Sequence, residues 1–412
     1  MTQFSDAISP EDVAKRAEPL ASIIVNNFNY GRFLRQAIDS ALDQQYSHIE
    51  VIVVDDGSTD DSREIIASYG SRIKSVLKPN GGQASALNAG FAVSRGDLII
   101  FLDADDILFP EAVANVVPLL LTESVSKVHW PMWVIDASGR RTGGTRPTQV
   151  PPEGDFREQV LKRGPSNVAS SPTSGNAWSR SFLQKILPIP EDMTYYRSCA
   201  DEYLYLLAPV FGQVRTLSVP QGCYRIHSNN IYSSRSFREK LNMELSGYDE
   251  QCNALESALA RNAIMVDVQL WSQHSWFHRL DRAIADLLER VPVGEKFVLI
   301  DGNTWGLGRD FEGRRVCPFF EKSGIDWGQP ADDDQAIDQL QSLRDEGMHF
   351  LVLAWSNYWW IDEYSVFFER LQQTAECIHR DGTSMIFNLH KQPGLTCSSS
   401  ASRNVEEGHG NV

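Results

Sequence analysis

The chain has 412 residues, 38 basic and 54 acidic side chains, and a formal net charge of −16. The length exceeds one average domain, so two domains and a connector are expected. The acidic balance argues against nucleic acid as a general partner. The six cysteines (Cys199, Cys223, Cys252, Cys317, Cys377 and Cys397) form no CxxC pair and no metal-like spacing. They read as reduced thiols of a cytoplasmic protein. Residues 1–19 are polar and mixed in charge, an N-terminal extension rather than a signal peptide. No apolar run approaches the ~20 residues of a bilayer-spanning helix, so membrane contact is expected only peripherally, at the inner face.

Ala21 to Val25 reads as a short strand ending in a polar turn, Asn26-Asn27-Phe28-Asn29-Tyr30-Gly31. Phe33, Leu34, Ala37, Ile38, Ala41 and Leu42 follow at helical spacing. Val51 to Val54 is a continuous apolar run that meets Asp55-Asp56-Gly57-Ser58, with a helix predicted from about Asp61 to Tyr69. Ile73 to Leu77 is a third strand, and Lys78-Pro79-Asn80-Gly81-Gly82 turns into a small-residue helix from Ala84 to Val93. Leu98 to Leu102 then runs into Asp103-Ala104-Asp105-Asp106.

Uninterrupted apolar strands of this kind are those of a parallel sheet buried on both faces. Such sheets place their binding crevice at the carboxyl ends of the strands. Both acidic clusters sit there, where paired carboxylates suit a divalent cation and the polar groups of a phosphorylated ligand. If the last strand stays extended, the side chains of Asp103 and Asp105 project the same way.

Pro and Gly recur between Gly139 and Gly175, which predicts a mobile surface segment over the site. A helix from Asp201 to Phe211 follows, and the first domain is expected to span 20–235. Between 236 and 291 the residues Leu241, Leu245, Tyr248, Cys252, Leu255 and Leu259 make a short heptad seam. With a second helical run through Phe277, Leu280, Ile284 and Leu288, it reads as a helical connector; a homodimer seam is the alternative. Strand and helix signals resume over 292–391 as a smaller α/β domain: strands at Phe297–Ile300, Phe350–Trp355 and Ser384–Leu389, helices at Asp334–Arg344 and Tyr364–Thr374. Its aromatics Trp305, Trp355, Trp359 and Trp360 suit either a tryptophan-rich core or stacking on sugars. The Ser- and Gly-rich tail, 392–412, is expected to be disordered.

Four stretches in this order, Ser22 to Leu42, Glu50 to Ser62, Asn80 to Gly90 and Gly96 to Asp106, resemble family 2 glycosyltransferases of the GT-A fold. The resemblance covers about the first 230 residues. It implies an α/β fold with a mostly parallel sheet flanked by helices. It also implies inverting transfer of a sugar from a nucleotide diphosphate donor, such as a UDP-sugar, to a hydroxyl of a glycan or lipid-linked acceptor. A cell-surface or secreted glycan precursor is the expected context. Mn²⁺ or Mg²⁺ would be held by Asp103 and Asp105 of the Asp-X-Asp element, with His227 as a further metal or phosphate ligand. Asp106 is a third acidic candidate. Asp55 and Asp56 match the base-binding aspartates, and Asn26, Asn27 and Asn29 offer side-chain amides where the family often has Pro-Thr. Lys78, Gly82 and Arg225 match donor phosphate positions, and Gly175 and Asn176 match the acceptor side. Asp201 corresponds to the catalytic base, with Glu202 the alternative if the register slips by one. Two rival readings remain open, a nucleotidyltransferase and a nucleotide-sugar-binding scaffold without catalysis. A nucleotidyltransferase would want a Gly-rich, cationic loop after the first strand, where this chain has Asn26-Asn27-Phe28-Asn29.

Overall fold

The computed structural model describes residues 18–120, 124–164, 169–227, 237–302, 305, 311–322, 325–326 and 329–390. Most of the N-terminal extension, the loop at Ser228, Asn229 and Asn230, residues Asn303, Thr304 and Gly306, and the tail from 392 lie outside them. The chain divides into two compact units, 1–234 with 246–272, and 235–245 with 273–412.

The first unit opens with β1 (Ala21–Asn27), α1 (Gly31–Leu42), β2 (Ile49–Asp56), α2 (Ser62–Ser68), β3 (Lys74–Lys78), α3 (Gln83–Val93) and β4 (Leu98–Asp103). It continues with β5 (Ile107–Leu108), α4 (Ala112–Leu120), β6 (Val125–His129), β7 (Met132–Ile135), β8 (Arg141–Arg146) and α5 (Arg157–Arg163). Then come β9 (Asn176–Ser179), α6 (Arg180–Ile186), α7 (Ala200–Phe211), β10 (Gln213–Thr216) and β11 (Gly222–Arg225). The main sheet has the order β10-β6-β9-β4-β1-β2-β3, with β9 running antiparallel between β6 and β4 and the remaining pairs parallel. A second sheet has the order β5-β11-β7-β8.

Consecutive residues of the central strands are buried, Ile23 to Val25, Ile52 to Val54 and Ile99 to Leu102, so helices cover both faces of the sheet. Burying each such side chain contributes about 1.5–3 kcal/mol. The small residues of α3 let it lie close: a Cβ on Gly90 would sit 2.4 Å from Ile24. In-register pairing then aligns the strand ends. Asn26 lies between Val54 and Asp103, and Asn27 lies beside Asp55.

One local expectation is corrected. β4 ends at Asp103, because its ladder with β1 stops at Asn26. The Asp106 N–H bonds to the Asp103 carbonyl at 3.0 Å and closes a turn. Asp105 is therefore placed by a turn, not by the two-residue alternation of a strand. The Pro- and Gly-rich segment holds regular structure of its own, with β8 paired to β7 and with α5.

The long helix α8 (Phe237–Arg261) contains the point where the two units divide. Its seam residues Leu241, Tyr248, Cys252, Leu255 and Leu259 are all buried within the chain. That burial lends the homodimer alternative no support.

The second unit continues with α9 (Trp276–Arg290), β12 (Lys296–Ile300), β13 (Arg315–Pro318), α10 (Asp333–Asp345), β14 (Phe350–Ala354), α11 (Ser365–Thr374), β15 (Glu376–Arg380) and β16 (Ser384–Asn388). Its sheet order is β13-β12-β14-β16-β15, parallel across the first three strands and antiparallel across the last three. Trp305 and Trp360 are core residues, while Trp359 is exposed. Among the described residues no helix is long and apolar enough to cross a membrane.

Candidate active site

The three asparagines after β1 hold the acidic clusters in place. Asn26 Nδ2 donates to Asp103 Oδ1 at 2.7 Å. Asn27 Nδ2 donates to Asp55 Oδ1 and Ser58 Oγ, both at 3.0 Å. The Asn29 N–H donates to Ser58 Oγ at 2.9 Å, and its Oδ1 accepts from the Thr59 N–H at 2.7 Å. The Oδ1 atoms of Asn26 and Asn27 are buried without a partner in the protein. Buried acceptors left this way are uncommon and suit a ligand donor.

The two aspartates after β2 differ in their surroundings. Asp55 accepts from Arg63 Nε at 2.8 Å and from the Ser58 N–H at 3.2 Å. Burial pushes its carboxyl up, but the hydrogen bonds from Ser58, Arg63 and Asn27 outweigh it and hold the group below the usual carboxylate range. Asp56 collects the chain that follows β3: Lys78 Nζ at 2.5 Å, the Gly81 N–H at 2.9 Å and the Gly82 N–H at 2.7 Å. Gly82 has φ +88°, and a Cβ there would lie 2.8 Å from the Arg197 carbonyl oxygen, so no other residue fits without displacement.

At the end of β4 lies the acidic centre. Asp105 Oδ2 is 3.0 Å from His227 Nε2, whose ring packs against Phe33 and Tyr30. Asp106 Oδ1 accepts from the Arg225 N–H at 2.9 Å, while its Oδ2 is buried with no partner. Burial, then the neighbouring charge of Asp105, pushes the Asp103 carboxyl up to about 7. Burial, then Asp105 and Asp103, raises Asp106 well above the usual range. Burial with the same carboxylates also raises the hydroxyls of Tyr30 and Tyr224. Crowded carboxylates, an imidazole and an orphaned carboxylate oxygen form a donor set suited to a divalent cation.

Arg225 lies inside the fold. The residue is 1% exposed; Nε donates to the Asp105 carbonyl at 2.7 Å and Nη2 to Gln36 Oε1 at 2.7 Å. It also lies over the Phe33 ring at 4.7 Å. Those contacts brace the acidic turn from behind.

The α7 N-terminus approaches from the other side. The Ala200 N–H donates to Gln83 Oε1 at 2.8 Å, which ties α7 to α3. Asp201 Oδ2 accepts from Thr173 Oγ1 at 2.9 Å, and the next hydroxyl, Ser174 Oγ, accepts from the Asp103 N–H at 3.0 Å. Burial raises the Asp201 carboxyl, while the Thr173 hydrogen bond and the charge of Lys127 pull it down. Glu202 accepts from Gln251 Nε2 at 3.0 Å, a residue of α8. Gly175 and Asn176 are buried, and Asn176 Nδ2 bonds the carbonyls of Ser171, Pro172 and Thr173. The amide thus shapes the loop that carries Thr173 and Ser174.

Thr173 and Lys127 escape a reading of the sequence alone, and Ser174 enters it only as the neighbour of Gly175-Asn176. Lys127 is 1% exposed; its Nζ donates to Ser170 Oγ at 2.6 Å and lies 5.6 Å and 5.7 Å from the Trp178 and Tyr205 rings. Burial lowers its ammonium to about 7, against the attraction of Asp201. Nothing in Val125-Ser126-Lys127-Val128-His129 distinguishes such a lysine from one on an edge strand. The only signal for the two hydroxyls was their place directly before Gly175-Asn176.

Residues 22–186 match the model of "Glycosyl transferase family 2". An uncharacterized glycosyltransferase of Nostoc sp. is 36% identical over 217 residues, covering 52% of this chain and 66% of that protein. An uncharacterized glycosyltransferase of Rickettsia bellii is 27% identical over 351 residues, covering 84% of this chain and 47% of that one. The chain therefore spans less than two thirds of the length of these relatives. The crystal structure of S. aureus TarS 1-349 in complex with UDP-GlcNAc is similar at 17% identity and a TM-score of 0.43, covering 66% of this chain and 81% of that one.

Proposed function

Residues 22–186 make this chain a member of glycosyltransferase family 2, and on that premise we propose that it moves a sugar from a nucleotide diphosphate donor, of the uridine type, to an acceptor hydroxyl with inversion. The observation that carries the reading is the meeting of Asp103 and Asp201 on one short loop, through Ser174 and Thr173. A buried carboxylate raised above its ordinary range, beside a cluster of carboxylates that could take a cation, is what a displacement at an anomeric carbon needs.

Asp103, Asp105 and His227 would hold the divalent cation, which neutralises charge on the departing diphosphate. Asp56, Gly82 and Lys78 shape the donor side, where the buried, unpartnered Oδ1 atoms of Asn26 and Asn27 would accept from ligand donors. Asp201 accepts the proton of the acceptor hydroxyl as that oxygen bonds to the anomeric carbon and the diphosphate leaves. Glu202 is set aside by its engagement with Gln251. The acceptor belongs to the glycan or lipid-linked class.

The test is a thermal-shift panel of nucleotide diphosphate sugars with Mn²⁺, followed by nucleoside diphosphate release and NMR of the product anomer. A donor that stabilises the chain only with metal, and is turned over with inversion, supports the reading. No stabilising donor, or retained configuration, refutes it.

A further inference from the structure

The second unit brings together three metal-ligating side chains from three places in the chain. His379 lies on β15 beside an irregularity of register between Cys377 and His379 in the β15–β16 ladder. Such bulges re-aim a side chain. Asp381 sits in the turn between those strands, and Asp286 comes from α9, which packs on β15. One ligand atom from each lies within 4.8 Å of the other two.

The distances within this group are unlike those of the molecule's other histidine–carboxylate contacts. His227 meets Asp105 at 3.0 Å, and His349 forms a shorter contact with Glu295. His379 Nε2 instead stands 3.3 Å from Asp286 Oδ2 and 3.5 Å from Asp381 Oδ1. It is buried, and neither approach has the geometry of a hydrogen bond. A tetrahedral centre with bonds of ~2.0–2.1 Å sets its ligand atoms ~3.3–3.4 Å apart. Both separations lie within ion-pair range and also match the spacing of two ligand atoms on one ion.

Neighbours orient the two carboxylates as outer partners orient metal ligands. Arg290 takes Asp286 Oδ1 at 3.0 Å and leaves Oδ2 toward the histidine. Asp381 Oδ1 accepts from the Thr383 N–H at 2.7 Å, the Thr383 hydroxyl at 2.8 Å and the Ser384 N–H at 3.0 Å, which fixes the carboxylate and makes Oδ2 the oxygen offered to an ion.

We propose that Asp286, His379 and Asp381 form a second cation site, separate from the donor site, that takes one zinc-class divalent ion through one nitrogen and two carboxylate ligands. The site joins α9 to the β15–β16 hairpin, so the ion stabilises the second unit.

The probe is Zn²⁺ alone, in equilibrium dialysis of the full chain carrying Asp105→Ala, which weakens any competing binding at the donor site. One ion per chain is expected, with a rise in Tm. Adding His379→Gln should weaken retention by roughly tenfold or more and abolish the rise. Should His379→Gln fail to fold, the nearly isosteric Asp381→Asn makes the same comparison. No Zn²⁺ retained by the Asp105→Ala chain, or equal retention in either folded double variant, overturns the proposal and leaves a plain Asp-His-Asp ion cluster.

Discussion

Thr173 Oγ1 donates a 2.9 Å hydrogen bond to Asp201 Oδ2, and this one contact fixes the proposed base beside the cation cluster. Because Ser174 accepts from the Asp103 N–H, a shift of the loop would act on Asp201 and Asp103 together. One short loop thus bonds to both aspartates.

The base is tested first. Asp201→Asn keeps the shape and the donor pocket, so donor binding should persist while kcat falls by roughly 10²–10⁴-fold. Glu202→Gln should change kcat little, since that carboxylate faces Gln251. The reverse pattern in steady-state kinetics would move the assignment by one residue.

The acid limb of the rate profile should respond to groups around Asp201. The Thr173 hydrogen bond and the Lys127 charge favour its ionised form, while burial opposes it and Asp103 repels it. Asp201 must be ionised to accept a proton, so Thr173→Val or Lys127→Met raises its pKa and moves the limb to higher pH. Activity lost on the acid side should return in part as pH rises. A uniform drop across the profile would instead indicate a merely structural role.

The cation cluster predicts loss of coupled binding. Asp105→Ala should abolish Mn²⁺-dependent binding of UDP in calorimetry and leave Tm within a few degrees, because crowded carboxylates repel one another without a cation. Undiminished Mn²⁺-dependent affinity would remove Asp105 from the ligand set.

Arg225 separates scaffold from phosphate contact. Arg225→Lys cannot reach both the Asp105 carbonyl and Gln36, so it should leave buried acceptors unpaired and lower stability by about 1–3 kcal/mol. Denaturant unfolding reads that loss. A phosphate contact would show instead as a raised donor KM at unchanged stability.

The sequence by itself determined the strands and where their acidic ends lie. Buried parallel strands need unbroken apolar runs, and Val51 to Val54 and Leu98 to Leu102 declare both their extent and the carboxylates that follow. The amphipathic spacing of α1 and the core strands of the second unit were legible for the same local reason. Only the tertiary structure decided that Asp105 sits on a turn, that Arg225 points inward, and that Lys127 is buried near Asp201. It also decided that Thr173 meets Asp201, and that a register irregularity places His379 between two aspartates. Those outcomes depend on which distant backbone or side chain supplies each hydrogen-bond partner. Periodicity reports which face of an element is apolar, but partners across the chain are chosen only when packing closes.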